Sequence, residues 1–171
     1  MIRLAQITDL ERVLEIVEDA RALFRSKGST QWQDSDGYPN KETFINDINK
    51  NQLYVYDDGQ VRGICVVSFD VDHNYDVIDG KWLSLAPYAV IHRIATDKDS
   101  YNMGIGSLFF RFAEDVAKRN NVYDIKADTG LDNDIMIHLF EKFGYQNCGI
   151  ITLLRDTVID KKRISFEKIL S

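Results

Sequence analysis

Apolar residues recur at steps of three and four through Leu10, Val13, Leu14, Val17, Ala20, Leu23 and Phe24. That spacing predicts an amphipathic helix with one buried face, ending near Lys27 with Gly28 as its stop. Thr8 and Glu11 stand three residues apart just before it and read as a capping box. Asn40 is placed to cap a second helix with Phe44, Ile45 and Ile48 inward. Leu53 to Tyr56 and Val61 to Phe69 are β-rich and flank Asp58-Gly59, a hairpin signal, and Tyr88 to Ala95 reads as a further strand. Leu108, Phe109, Phe112, Ala113, Val116 and Ala117 return to helical spacing, and Lys118 and Arg119 fall at the negative end of that helix's dipole. Tyr123 to Asp128 predicts a short strand and Asn133 to Phe143 a helix stopped by Gly144. Cys148 to Leu154 and Arg163 to Ile169 close the chain as two strands joined by a turn. With Met1 to Gln6 as a short first strand, the order is β-α-α-β-β-β-α-β-α-β-β, an α/β sheet of mixed strand direction.

Composition narrows this picture. The 171 residues are 44% hydrophobic and 28% charged, ordinary for one globular domain with a core of its own, and no repeat, low-complexity tract or Pro- or Ser-rich linker divides residues 1–171. A formal charge of −6 without clustered Lys and Arg argues against a nucleic-acid surface and for a neutral or cationic small partner. No apolar stretch is long enough to span a bilayer. Cys65 and Cys148, in a chain without an apolar leader, read as reduced core thiols of a cytoplasmic protein.

The stretch TDKDSYNMGIGSLFF, Thr96 to Phe110, places Gly104 and Gly106 between a predicted strand and a helix opening at Ser107. Unpaired N–H groups at the positive end of a helix dipole make an anion site. As a bare pattern the glycine pair also suits a tight turn with close packing; it lacks the Lys of a P-loop and the third glycine of a dinucleotide fingerprint.

Tyr101 to Gly106 resembles the Gln/Arg-x-x-Gly-x-Gly/Ala signature of the GNAT superfamily of acyl-CoA-dependent N-acetyltransferases, with Gly104 and Gly106 on its glycines. DNDIMIHLFEKFGY, Asp132 to Tyr145, is similar to that family's Asn-x-x-Ala-x-x-Leu-Tyr-Glu-Lys-x-Gly-Phe helix, and IRLAQITDLERVLEI has its opening shape. The resemblance runs from Ile2 to about Ile169. It implies a mixed, mostly antiparallel sheet flanked by helices, with central strands that splay, and acetyl-CoA as the co-substrate. It further implies that amides of Asn102, Met103, Gly104, Ile105, Gly106 and Ser107 hold the pyrophosphate. Ile94 and Thr96 would pair through their backbone with the pantetheine arm, and Asn133 would sit beside it.

Two positions depart from the family pattern. Tyr101 stands where the family has Gln or Arg, and Phe140 stands where many members have a Tyr that protonates the departing thiolate. A phenyl ring donates no proton. A thiol has a reference pKa of about 8.5, so an acid helps without being required, and Tyr145 or a water is the available substitute. The implied chemistry is direct attack of a neutral amine on the thioester, the oxyanion being held by a backbone N–H. An alkyl amine with a pKa near about 10.4 must first lose a proton, and His92 and Asp128 are the candidate bases. For both, the alternative is a purely structural role.

Trp32, Tyr38 and Trp82 are candidates for the acceptor pocket, because aromatic faces attract cations; packing between the first helices is the alternative for the first two. Asp70, Asp72, Asp76 and Asp79 read as a solvated hairpin tip, with His73 beside them, and lack the order of a calcium loop, so no metal is expected. Cys148 reads as core. The expected function is transfer of an acetyl group from acetyl-CoA to a primary amine, small or peptidic. An acyl-CoA-binding sensor without turnover is the alternative, and a nucleotide-binding protein using the glycine turn for ATP is a third reading. The terminal hairpin offers a sheet edge for a homodimer.

Overall fold

The computed structural model describes residues Met1–Ser171. Its strands are β1 (Ile2–Leu4), β2 (Leu53–Asp57), β3 (Val61–Ser68), β4 (Ile78–Gly80), β5 (Ala89–Thr96), β6 (Asp124–Gly130), β7 (Gln146–Thr152) and β8 (Lys162–Ile169). Its helices are α1 (Leu10–Ser26), α2 (Lys41–Asn49), α3 (Ile105–Arg119) and α4 (Asp134–Lys142). The strands form one sheet in the order β1-β2-β3-β5-β6-β8-β7-β4. Every neighbouring pair is antiparallel except β5 and β6, which run parallel and pair only at Ala89 with Ile125 and Val90 with Lys126. Beyond Val90 the two strands part, so the expected splay is present.

The predicted helical faces are the ones that become buried. Val13, Ile16 and Val17 of α1 and Phe44 of α2 pack with Leu53, Val55, Ile64 and Val66 on one side of the sheet. Phe109, Phe110 and Ala113 of α3 and Phe140 of α4 pack with Cys65, Ile91, Ile125, Ala127 and Phe166 on the other. A smaller cluster of Tyr75, Val90, Ile151, Leu153 and Val158 covers the β4 end. Asn40 caps α2, its side chain accepting the Thr43 N–H at 3.0 Å.

Three expectations change. Thr8 and Glu11 form no capping box: a turn of 3-10 helix, Ile7–Asp9, precedes α1, and the Asp9 carboxylate, held by Arg3 at 2.9 Å, accepts the Gln6 N–H at 2.8 Å. An ion-paired carboxylate is a stronger acceptor than the hydroxyl it displaces. The acidic stretch does not end as a free hairpin tip, because Ile78–Gly80 runs antiparallel to β7 as the last strand. The terminal hairpin therefore offers no edge for a dimer: β8 lies between β6 and β7, and β4 covers β7.

Candidate active site

The parting of β5 from β6 opens a cavity of about 120 Å3. Ile91, His92, Arg93 and Ile94 of β5 line one wall; Asp128 and Thr129 of β6, with Asn133, Met136 and Phe140, line the other. Trp32 and Tyr38, from the loop between α1 and α2, and Asp72, Arg155 and Arg163 close it.

On β5 the register advances by three residues, from His92 to Ala95, while β3 advances by two, from Val66 to Ile64. The extra residue is Arg93, held at φ 46°, a conformation that side chains with a Cβ rarely adopt. What holds it there is its guanidinium. Nε and Nη2 grip the Asp47 carboxylate at 2.8 and 2.7 Å, and Nη1 donates to the Tyr38 hydroxyl at 2.5 Å. The bulge interrupts the alternation of the strand at the cavity wall.

Asp128 accepts a hydrogen bond from the Tyr75 hydroxyl at 2.6 Å. Burial raises its pKa to about 6, against the lowering effect of the Tyr75 bond. It is thus a carboxylate whose protonation changes just below neutral pH. His92 behaves differently. Burial, helped by the adjacent Arg93 charge, pushes it down to about 3, although its Nε2 lies 3.6 Å from Asp72. A neutral imidazole that resists protonation is a weak base, and of the two candidate bases Asp128 is the better poised.

The remaining predicted residues divide. Asn133 caps α4, accepting the Met136 N–H at 3.3 Å and donating to Thr129 Oγ1 at 3.0 Å. Trp32 is buried edge-on against Phe24 yet reaches the cavity, and Tyr38 lies beneath the Arg155 guanidinium at 4.0 Å. Trp82 does not reach it: its indole donates to the Tyr75 carbonyl at 3.0 Å and its ring carries Lys126 Nζ at 4.5 Å. The tertiary cluster around Tyr75 claims that ring. Tyr145 is also withdrawn, because its hydroxyl is buried without a partner behind Phe110 and Phe140, and Phe140 itself stacks on Phe166. Cys148 is buried, its thiol pushed up to about 11 by burial and by Glu167, as suits a core residue.

Thr96 and Asn102 to Ser107 lie apart from this cavity. Thr96 pairs with Gly63 at the far end of β5. The turn after it holds Asn102 at φ 66° and Gly104 at φ 77°, and α3 opens at Ile105, two residues earlier than expected. The first backbone bond of the helix runs from Leu108 N–H to the Gly104 carbonyl at 3.1 Å, and the N–H groups of Gly104, Ile105, Gly106 and Ser107 have no acceptor in the chain. The two glycines have different reasons. A Cβ on Gly104 would meet nothing within 4 Å, so the space above it is open and only its left-handed backbone demands glycine, whereas one on Gly106 would lie 3.1 Å from Leu139 of α4. Gly106 is glycine for helix packing.

An open array of amides on a helix N-terminus, continuous with strands that part, fits a phosphate-bearing ligand with an extended arm. The profile of the Acetyltransferase (GNAT) family matches residues 13–145. The chain belongs to the GNAT acetyltransferase family. A GNAT-family acetyltransferase of Streptococcus agalactiae 2603 has 32% identity and a TM-score of 0.88, over 100% of this chain and 95% of that one. A Staphylococcus aureus Mu50 protein is 29% identical with a TM-score of 0.74, over 100% of this chain and 99% of its own. At 17% identity, the ribosomal-protein-S18-alanine N-acetyltransferase of Escherichia coli shares the fold, with a TM-score of 0.69 over 100% of this chain and 94% of that one. No curated protein matches by sequence. The GNAT chain has no helix long and apolar enough to cross a membrane.

Bulge, Tyr75–Asp128 pair and Arg-lined walls were not signalled by the sequence. Tyr75 and Asp128 are 53 residues apart, and the Tyr75 segment is held near β6 by the pairing of β4 with β7, by the Leu154 N–H bond to Asn74 Oδ1 at 2.8 Å and by packing on Val90, Ile151 and Leu153.

Proposed function

We propose that this protein is an N-acetyltransferase that moves the acetyl group of acetyl-CoA to a primary amine by direct attack. The observation that carries the reading is the position of Asp128 on the wall of the cleft where β5 and β6 part, its carboxylate accepting the Tyr75 hydroxyl at 2.6 Å and its pKa raised by burial to about 6. Acetyl-CoA supplies an activated acyl group; the amides of Gly104 to Ser107 are suited to its pyrophosphate, and the open edge of β5 around Ile94 to its pantetheine arm. Asp128 takes the ammonium proton and passes it to solvent, the amine nitrogen bonds to the acyl carbon, the carbon–sulfur bond breaks, and the second nitrogen proton leaves to Asp128 or solvent as the amide forms. A β5 amide near the Arg93 bulge donates to the oxyanion. Coenzyme A leaves as a thiolate and is protonated from solvent, since neither Phe140 nor the buried Tyr145 hydroxyl serves as an acid. A cytoplasmic setting agrees with two buried cysteines, neither in a disulfide.

That missing phenol also favours a second reading, an acyl-CoA-binding protein without turnover. Calorimetric titration with acetyl-CoA and, separately, ATP, followed by thiol release on an amine panel, separates them. Binding of acetyl-CoA with amine-dependent thiol release supports the transferase; binding without release on every amine supports the sensor. No binding of acetyl-CoA overturns both.

A further inference from the structure

Three arginines line the cavity, and two are already neutralised. Arg93 grips Asp47 through Nε and Nη2 at 2.8 and 2.7 Å, and Arg155 grips Asp36 through the same two nitrogens at 2.8 and 2.6 Å. Arg163 uses only Nη1, donating to the loop carbonyl of Asp160 at 2.5 Å and to the carbonyl of Lys162, the first residue of β8, at 2.9 Å. Its Nε and Nη2 edge, the one the other two offer to a carboxylate, has no acceptor in the chain, although the residue is only 6% exposed. The carboxylates of Asp128, Asp160 and Asp36 lie near enough to favour its charge, but none touches it. A buried guanidinium with no carboxylate in contact is costly, and a fork of N–H donors matches a carboxylate in shape.

The strand register places this fork beside the reacting carboxylate. Asp128 pairs with Ser165 and Gly130 with Arg163, so Asp128 and Arg163 occupy one face on neighbouring strands, one pleat apart. They form no ion pair with each other. Diagonal partners of this kind have Cα atoms about 7–8 Å apart, a span that one small molecule can bridge. A cavity near 120 Å3 suits the same scale, since about 150 Å3 holds a benzene.

We infer that the acceptor is a small amine bearing a carboxylate, an amino acid in the chemical sense, with its amine at Asp128 and its carboxylate on the free fork of Arg163. This rests on the transferase reading for the role of Asp128, but the anion site is testable without turnover. The Arg163 carbonyl contacts hold the loop before β8; the free fork selects the acceptor.

The test titrates the protein, with and without coenzyme A, with glycine, alanine, leucine and glutamate, each paired with the corresponding amine lacking the α-carboxylate. The carboxylate member is expected to bind at least about tenfold more tightly, and Arg163→Gln to reduce that margin below about twofold while leaving acetyl-CoA affinity unchanged. Arg163→Lys, which keeps the charge, retains part of the margin and guards against misfolding of the first variant. Equal binding of both members, a margin that survives Arg163→Gln, or tighter binding of neutral peptide amines than of every amino acid would overturn the proposal. If amino acids bind with the expected margin yet release no thiol from acetyl-CoA, the transferase reading falls and the carboxylate site stands.

Discussion

Tyr75, itself buried, donates its hydroxyl hydrogen across 2.6 Å to Asp128, which is half-buried on the cavity wall. The bond favours the ionised carboxylate while burial disfavours it, and the balance leaves Asp128 near about 6. Because the base must be ionised, activity is expected to rise as pH climbs through that value. Tyr75→Phe removes the donor, raises the pKa and moves the acidic limb of kcat/KM to higher pH by about one unit. An unmoved limb would detach Asp128 from the rate. Asp128→Asn should lower kcat by about 10^2 to 10^4-fold with acetyl-CoA affinity retained.

His92→Gln provides the contrast. With its imidazole pushed down to about 3, His92 is neutral throughout the working range. The variant is expected to keep kcat within about threefold and the acidic limb in place, as a weak base contributes little proton-transfer driving force. A loss as large as that of Asp128→Asn would reassign the base.

At the turn before α3, the two glycines should fail differently. Gly104 sits at φ 77° with open space above it, so Gly104→Val strains the backbone by about 1–2 kcal/mol, roughly 2–8 °C in melting temperature. Gly104→Asn, which tolerates that conformation, should recover much of the loss. Gly106→Val instead pushes on Leu139, and its damage should be relieved by Leu139→Ala. Thermal unfolding of the four variants and the double mutant checks both.

Asp124 and Glu167 are buried beside each other near Lys126, and burial with the Glu167 neighbour raises Asp124 to about 7. A carboxyl raised above its unfolded value near 3.8 binds more protons in the native state, so its contribution is fully present below that value and is lost as pH rises through about 7. Asp124→Asn removes this dependence. Its melting temperature should exceed that of the parent at pH 8 and match it more closely at pH 5.

Arg93→Met leaves Asp47 buried and unpaired, with an expected cost of about 3–5 kcal/mol in denaturant unfolding. Arg93→Met with Asp47→Leu should recover most of it, since an apolar pair of similar volume replaces the ions. Recovery of stability without recovery of activity would separate the scaffold role of Arg93 from the bulge it imposes.

Local pattern carried the helices and long strands because their buried faces follow fixed periods: Val13, Val17 and Phe44, or Phe109 and Ala113, are read directly from spacing. Ile78–Gly80 was illegible, since a three-residue strand among aspartates has no period, and only its pairing with β7 defines it. In the site, Asp128, Asn133 and Tyr38 were nameable as residue types near a strand end, a helix cap and an ordered loop. Arg93's left-handed backbone, the depressed His92 and the free edge of Arg163 depend on a partner 46 residues away, on burial, and on carboxylates that come near without touching, and none of these leaves a trace in the neighbouring sequence.

The two residue pairs that join β5 to β6 make that line the seam of the whole sheet. Four strands lie on each side, and along the sheet itself little else stitches them, while α3 braces the back. An extended ligand laid into the gap would act as a missing thread, converting two half-sheets into one continuous ladder. At one hundred times its dissociation constant such a ligand adds about 2.7 kcal/mol to the folded state. Amide hydrogens of His92 to Thr96 and Ala127 to Gly130 would then exchange more slowly, while those of β1 and β4 at the outer edges would not.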